Sequence, residues 1–273
     1  MPFGSALQSV GTTLLQTPAP SPYDFGFRLL GTDVRISFTF WIAAILFGFG
    51  LVASLNRSLG ADSPGVGILL VLWMLLMALS ILIHEFGHAV AFRAFGIQSH
   101  IVLYHFGGLA IPTSGRTATR VGIDLKPWQD FVVAIAGPAA QLFSALFLAA
   151  ILVLRGYLAD GLAMVHPALA DLFNQGDLDP LPNPTLRAAV VLYMLPSIYW
   201  AILNCVPTFP LDGGRMCRAI VEAFGGAATI WIWIGIVSSA AMAMYAFQAG
   251  QSYMAIFFAL MAVSNYQMLP RFS

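Results

Sequence analysis

Charge is what this 273-residue chain has least of. Only 9% of its residues are Asp, Glu, Lys or Arg, against about 25% in an ordinary soluble domain. A soluble domain of this size could not cover its surface with so few polar groups. The scarcity has no sign bias, because 12 Lys and Arg balance 12 Asp and Glu. The basic excess with which nucleic-acid-binding domains hold phosphates is missing, so no nucleic-acid partner is expected. Cysteine is scarce too. Cys205 and Cys217 are the only two, too few for a disulfide scaffold and set in or beside apolar stretches, so nothing points to an oxidising compartment. What abounds is hydrophobic: 59% of residues, with a mean hydropathy of +0.83. That excludes a disordered chain and predicts an integral membrane protein.

The expected fold is all-α and polytopic, with about six transmembrane helices, a short membrane-associated β-hairpin and one broken helix. Apolar runs long enough to cross a bilayer cover 36–55, 66–92, 131–154, 188–209, 225–248 and 252–269, each needing about 20 residues. The last two are separated only by Ala249-Gly250-Gln251 and predict a tight helical hairpin. Residues 1–35 read as an N-terminal tail and juxtamembrane segment, its first 22 residues lacking Lys and Arg and ending in a proline-rich stretch. Residues 36–273 read as one transmembrane domain, and 155–187, with its Pro, Asn, Asp and Gly, as a surface loop. A cytoplasmic N-terminus puts Arg28, Arg35, Arg93, Arg116, Arg120, Lys126, Arg215, Arg218 and Arg271 inside and only Arg57, Arg155 and Arg187 outside. The positive-inside rule favours that arrangement, with both termini cytoplasmic.

Ionisable groups inside apolar spans are costly, so they mark function. The second span contains Ile83-His84-Glu85-Phe86-Gly87-His88, the pattern H-E-x-x-H. On a helix, residues i and i+4 share a face, so His84 and His88 can converge on one zinc ion. Glu85 lies about 100° round the helix, within reach of a metal-bound water without being a ligand. Two satisfied polar histidines between helices would be the plainer explanation. With five His and two Glu in the chain, however, chance produces this pattern on the order of once in a thousand such sequences. A buried carboxylate without compensation would also cost several kcal/mol.

Catalytic zinc takes three protein ligands and leaves a position open, so one donor must come from elsewhere. The one other acid interrupting an apolar stretch near the same membrane face is Asp212, in Asn204-Cys205-Val206-Pro207-Thr208-Phe209-Pro210-Leu211-Asp212-Gly213-Gly214-Arg215. Pro207 and Pro210 should break the fourth span there. A helix cap is the alternative role for Asp212, and a cap could still bind metal. Between spans two and three, the β-branched and aromatic segment 101–108 reads as a strand or short hairpin too short to span. Trp231 and Trp233 are most simply interfacial anchors.

H-E-F-G-H in a transmembrane helix, followed over a hundred residues later by N-x-x-P-x-x-P-L-D-G-G, resembles the site-2 protease family of intramembrane zinc metalloproteases. Ala136-Gly137-Pro138 and Phe106-Gly107-Gly108-Leu109-Ala110 match two further landmarks of that family. The resemblance implies one zinc ion on His84, His88 and Asp212, with Glu85 as general base. It implies hydrolysis of a peptide bond in or next to a transmembrane segment, the substrate being a membrane protein or a remnant signal peptide. Substrate pairing by β-augmentation at 101–108 fits that activity. The family's Asn204 is kept. Where it commonly has a second Asn, this chain has Gln141, and both amides are implied to hold substrate or stabilise the oxyanion. By analogy the membrane is the prokaryotic cell membrane, with the active site nearer the cytoplasmic side. A transporter, or a non-proteolytic zinc-binding membrane protein, would also use broken helices and polar groups at membrane depth, but neither has a use for Glu85.

Overall fold

The computed structural model describes residues 19–115, 118–119, 122–123 and 125–269. Residues 1–18 of the expected tail, and Arg116, Arg120 and Arg271 of the orientation argument, lie outside the described residues.

The secondary structure of the described residues is helical apart from small sheets. A hairpin of β1 (Phe25–Leu29) and β2 (Thr32–Ile36) turns at Leu30 and Gly31, both with positive φ, the geometry that tight two-residue hairpin loops require. It leads into α1 (Phe38–Leu59), which stops at Gly60. α2 (Val66–Ala94) carries the H-E-x-x-H pattern. β3 (Ile97–Tyr104) and β4 (Gly107–Gly115) then pair antiparallel around His105-Phe106, and short β5 (Ala118–Thr119) and β6 (Gly122–Ile123) follow. α3 (Pro127–Leu154) runs unbroken through Pro138. Short α4 (Asp160–Val165) and α5 (Pro167–Phe173) precede α6 (Pro184–Asn204), α7 (Asp212–Ala223), α8 (Ala228–Gln248) and α9 (Ser252–Gln267). Prolines open α3, α5 and α6, where a helix has no need of the missing N–H.

Among the described residues, five helices are long and apolar enough to cross a membrane: α1 with its terminal 3-10 turn, α2, α3, α6 and α8. α9 has 16 residues, about 24 Å, which is short of the roughly 20 that spanning needs. It folds back on α8 through Gly250, the expected hairpin. α6 is the innermost span: 56% of its most apolar stretch is buried, against 22% for α1. The chain is an integral membrane protein, and its outward-facing Leu, Ile and Phe side chains are those a lipid solvent accepts.

Three expectations need correction. The segment 1–35 is not tail throughout, because 25–36 forms β1 and β2, and β2 pairs parallel with β3 (Val34 with Ile101, Ile36 with Leu103). The hairpin at 101–108 is thus half of a four-stranded sheet in the order β1-β2-β3-β4. Pairing across some 65 residues leaves no local signal in the sequence. Secondly, the 155–187 loop holds α4 and α5, with Ala159 and Leu162 fully buried against α3 and α6 side chains. Thirdly, Trp231 is buried against Phe209 (ring centroids 5.1 Å apart), whereas Trp233 is exposed as an anchor would be.

The sheet covers one side of α2. Val34, Ile36, Ile101 and Leu103 pack with Ala78, Ile81 and Ala89 of α2 and with Phe40 and Ala44 of α1. α3 lies against another side. The approach is close: a Cβ on Gly87 would run into the Ala136 carbonyl oxygen, and glycine lets the helices meet as small residues do in membrane bundles.

Candidate metal centre

His84 and His88 lie one turn apart on α2, and Asp212 opens α7 just after the loop that ends α6. All three are buried. His84 Nε2 is 3.0 Å and His88 Nε2 3.2 Å from Asp212 Oδ2, and the two Nε2 atoms are 3.1 Å apart. For zinc bonds of about 2.0–2.1 Å, the edge between two ligands of a tetrahedron is about 3.3 Å. The three donor atoms thus form a nearly equilateral face of the right size.

The far side of each imidazole is fixed. His88 Nδ1 donates to the Val133 carbonyl (2.7 Å), and His84 Nδ1 donates to Gln141 Oε1 (3.0 Å). With the proton on Nδ1, each ring turns a lone pair on Nε2 towards the shared point, the tautomer a metal ligand needs. Burial works to raise the Asp212 pKa, but the two imidazoles outweigh it and hold the carboxyl below the usual carboxylate range. Two imidazoles and one carboxylate, dry and convergent, suit zinc. Neither cysteine joins this group. Burial pushes both thiols up, the Asp212 carboxylate adding to the effect at Cys205, which favours the neutral thiol over the thiolate.

Glu85 is on the same helix but outside the triangle. Its side chain lies over the backbone of β4, where a Cβ on Gly108 would stand 2.5 Å from Glu85 Cγ and Oε1, and the Ala110 backbone hydrogen-bonds to it. Glu85, the three donor residues, Asn204, Gly108, Leu109, Ala110 and Arg215 line one cleft. Asn204 Nδ2 donates to the Trp200 carbonyl (3.0 Å) within its own helix, and its amide has a second N–H besides. Gln141 is the site residue whose expected place needs correcting. It is fully buried behind His84 and is not part of the cleft wall. Its longer stem spends both ends of the amide on protein partners.

The loop bearing Asp212 is held by residues that sequence reasoning missed. Asn265 of α9 donates through Nδ2 to Thr208 Oγ1 (3.0 Å) and to the Phe209 carbonyl (2.8 Å), and its Oδ1 accepts from Phe209 N–H (3.3 Å). Ser239 hydrogen-bonds to Thr208, and Ser238 donates to the Pro207 carbonyl. These restore partners to backbone freed by the two prolines. On the other side, Asp130 of α3 accepts from Arg215 (2.7 Å) and Arg218 (2.6 Å) of α7. The signal available in sequence was a lone Asn in an apolar run and an Asp near the start of a span. Both belong to the class of costly polar groups already used to find Glu85.

Span-length helices, a His-His-Asp triangle and a glutamate beside it on the same H-E-x-x-H helix define a membrane protein with a donor set able to hold a metal ion. Residues 72–244 match the model of peptidase family M50. The chain belongs to that family. It is 35% identical over 154 residues to a Synechocystis sp. protein named as a candidate zinc metalloprotease, a match covering 56% of this chain and 32% of the relative. It is 29% identical over 202 residues to the similarly named Rip3 of Mycobacterium tuberculosis, covering 70% and 42%. The matches thus span from 32% to 42% of the length of these relatives. A solved site-2 protease from Methanocaldococcus jannaschii aligns over 90% of this chain and 94% of its own, at 19% identity and a TM-score of 0.49.

Proposed function

We propose that this protein is an intramembrane zinc metalloprotease that hydrolyses a peptide bond within or next to a transmembrane segment. The observation that carries the reading is the convergence of His84, His88 and Asp212 donors in a cleft that Glu85 also lines. Zinc held by those three residues would supply a Lewis acid that polarises the scissile carbonyl and makes water a better nucleophile. Glu85 takes the proton from the attacking water and delivers it to the leaving amine, the general-base and general-acid halves of one cycle. Asn204 turns an amide into the same cleft, where its free N–H serves the oxygen of the tetrahedral species. Arg215 adds positive charge to that wall.

The substrate is a membrane protein or a signal-peptide remnant. A transmembrane helix protects its own peptide bonds, so cleavage needs an extended stretch. β4 is an edge of the four-stranded sheet, and Gly108, Leu109 and Ala110 border the cleft. A substrate strand added to that edge would run past Glu85, as in β-augmentation. The basic residues argue for cytoplasmic termini and a site nearer the cytoplasmic face, with the prokaryotic cell membrane as the setting.

The test is Glu85→Gln in the full chain, assayed together for cleavage of a single-span substrate and for zinc content. Cleavage should fall by at least about 10²-fold with zinc retained. Persistent cleavage would overturn the mechanism, and loss of zinc would make Glu85 a structural ligand. Zinc transport into vesicles by the same variant, unchanged, would favour a transporter.

A further inference from the structure

The amide of Gln141 has no part in the cleft, yet both of its ends are hydrogen-bonded to protein side chains. It sits on α3, fully buried, and its two ends meet side chains one turn apart on α2. Oε1 accepts from His84 Nδ1 (3.0 Å), and Nε2 donates to Ser80 Oγ (2.8 Å) on α2. Ser80 Oγ lies 2.8 Å from Ser197 Oγ on α6, and Ser197 Oγ donates to the Tyr193 carbonyl (2.7 Å). Ser80 and Ser197 are themselves fully buried.

The direction of every bond in this chain follows from its last member. A carbonyl cannot donate, so the single hydroxyl proton of Ser197 is committed to Tyr193. Ser197 can then only accept from Ser80, and Ser80, its own proton committed, can only accept from Gln141. That turns the amide NH2 of Gln141 towards Ser80 and the amide oxygen towards His84. An oxygen there accepts only from a protonated Nδ1, which leaves the lone pair of His84 on Nε2, facing Asp212 Oδ2 at 3.0 Å. Reversing any member would set two donors or two acceptors face to face in a dry interior, a costly arrangement.

We infer that Gln141 is a positioning residue for His84 and not a substrate-binding amide, with Ser80 and Ser197 fixing which way it faces. The assignment rests on the reading of His84 as a metal ligand. It makes the orientation of one metal donor depend on a polar chain that leaves α2 at His84, returns to it from α3 at Ser80 and ends on α6 at Ser197. It also gives a physical reason for Gln at this position. The longer stem carries the oxygen to His84 while the nitrogen still reaches Ser80.

The experiment measures zinc affinity of the detergent-purified full chain by competition with a chromophoric chelator, and the absorption spectrum of the cobalt-substituted protein. Gln141→Leu keeps the volume and removes both ends of the amide. It should weaken zinc binding by about 10- to 100-fold and shift the cobalt bands. Gln141→Glu keeps an acceptor on His84 Nδ1 and should hold zinc more tightly than Gln141→Leu. Ser80→Ala leaves Gln141 in place but frees it to turn over, and should weaken zinc in the same direction. At saturating zinc, KM for a cleaved substrate should stay as in the parent. Unchanged zinc affinity in Gln141→Leu, with a raised KM, would overturn the inference in favour of a substrate contact. If Gln141→Leu does not fold, wild-type affinity in Ser80→Ala overturns it equally. His84→Ala is the control for the underlying reading. If it binds zinc as the parent does, the metal centre is elsewhere and this role for Gln141 falls with it.

Discussion

Gly137 meets the imidazole of His88 with no room for a methyl group between them. A Cβ there would overlap His88 Nε2 and stand 2.8 Å from His84 Nε2, beside the very atoms that point at the proposed metal. Gly137→Ala should therefore cut the zinc content of the purified chain to a small fraction of that of the parent. The helix itself would gain, since alanine is favoured over glycine by about 1 kcal/mol in a helix interior. Metal analysis with thermal unfolding distinguishes the outcomes, and an alanine variant with full zinc would mean that the donors do not converge where the structure has them.

Gly108 stands in the same relation to Glu85 as Gly137 does to His88. A Cβ at Gly108 would collide with the Glu85 side chain at 2.5 Å, and the three atoms nearest to it all belong to Glu85 and not to a donor residue. Gly108→Ala should lower kcat by one to two orders of magnitude, on the order of what misplacing a general base costs, with one zinc still bound. Normal turnover in that variant would show that Glu85 does not depend on β4 for its position.

The loop that presents Asp212 depends on Asn265. Asn265→Leu keeps the volume but leaves Phe209 N–H without its partner and the Phe209 carbonyl with only the 3.4 Å bond from Thr208 Oγ1, and an unsatisfied buried group costs about 1–3 kcal/mol. The melting temperature should fall by several degrees and zinc affinity should fall with it, because Asp212 follows Phe209 by three residues. An Asn265→Leu variant that melts lower but binds zinc as tightly as the parent would limit Asn265 to a packing role.

Removal of the metal gives a fourth prediction. A ligand bound only to the folded state stabilises it by about 4 kcal/mol when present at a thousand times its Kd. Chelator should therefore lower the melting temperature of the wild-type chain and leave that of Asp212→Ala, which should bind little or no zinc, almost unmoved. Equal chelator sensitivity in both proteins would remove Asp212 from the metal's ligands.

What could be read from sequence divides along a physical line. His84, Glu85 and His88 were visible because helical periodicity brings i and i+4 together within one segment. Asp212 was visible because an acid in an apolar stretch is rare enough to stand out. The pairing of Val34 with Ile101 was not visible, since a parallel strand contact depends on how distant segments are brought together. The same holds for Asn265 on the Asp212 loop and Asp130 on Arg215. Gln141 shows a subtler limit. Its position in the chain was identified, but which way an amide faces is decided by Ser80 and Ser197 on other helices. The run 252–269 predicts a span because it is uncharged and mostly apolar, yet the helix ends at Gln267 and is about a turn too short.

The order in which the donors lie along the chain bears on biosynthesis. His84 and His88 leave a ribosome first, Asp212 follows more than a hundred residues later, and Asn265, which steadies the Asp212 loop, comes some fifty residues after that. Until α7 has docked on α3, the two histidines have no third donor. Until α9 has folded back on α8, the Asp212 loop has no anchor. A half-inserted chain is therefore not a half-active one. Chain order delays completion of the donor set until nearly every described helix of the bundle is in place, so the proposed metal site cannot assemble on a chain whose later helices have yet to be inserted.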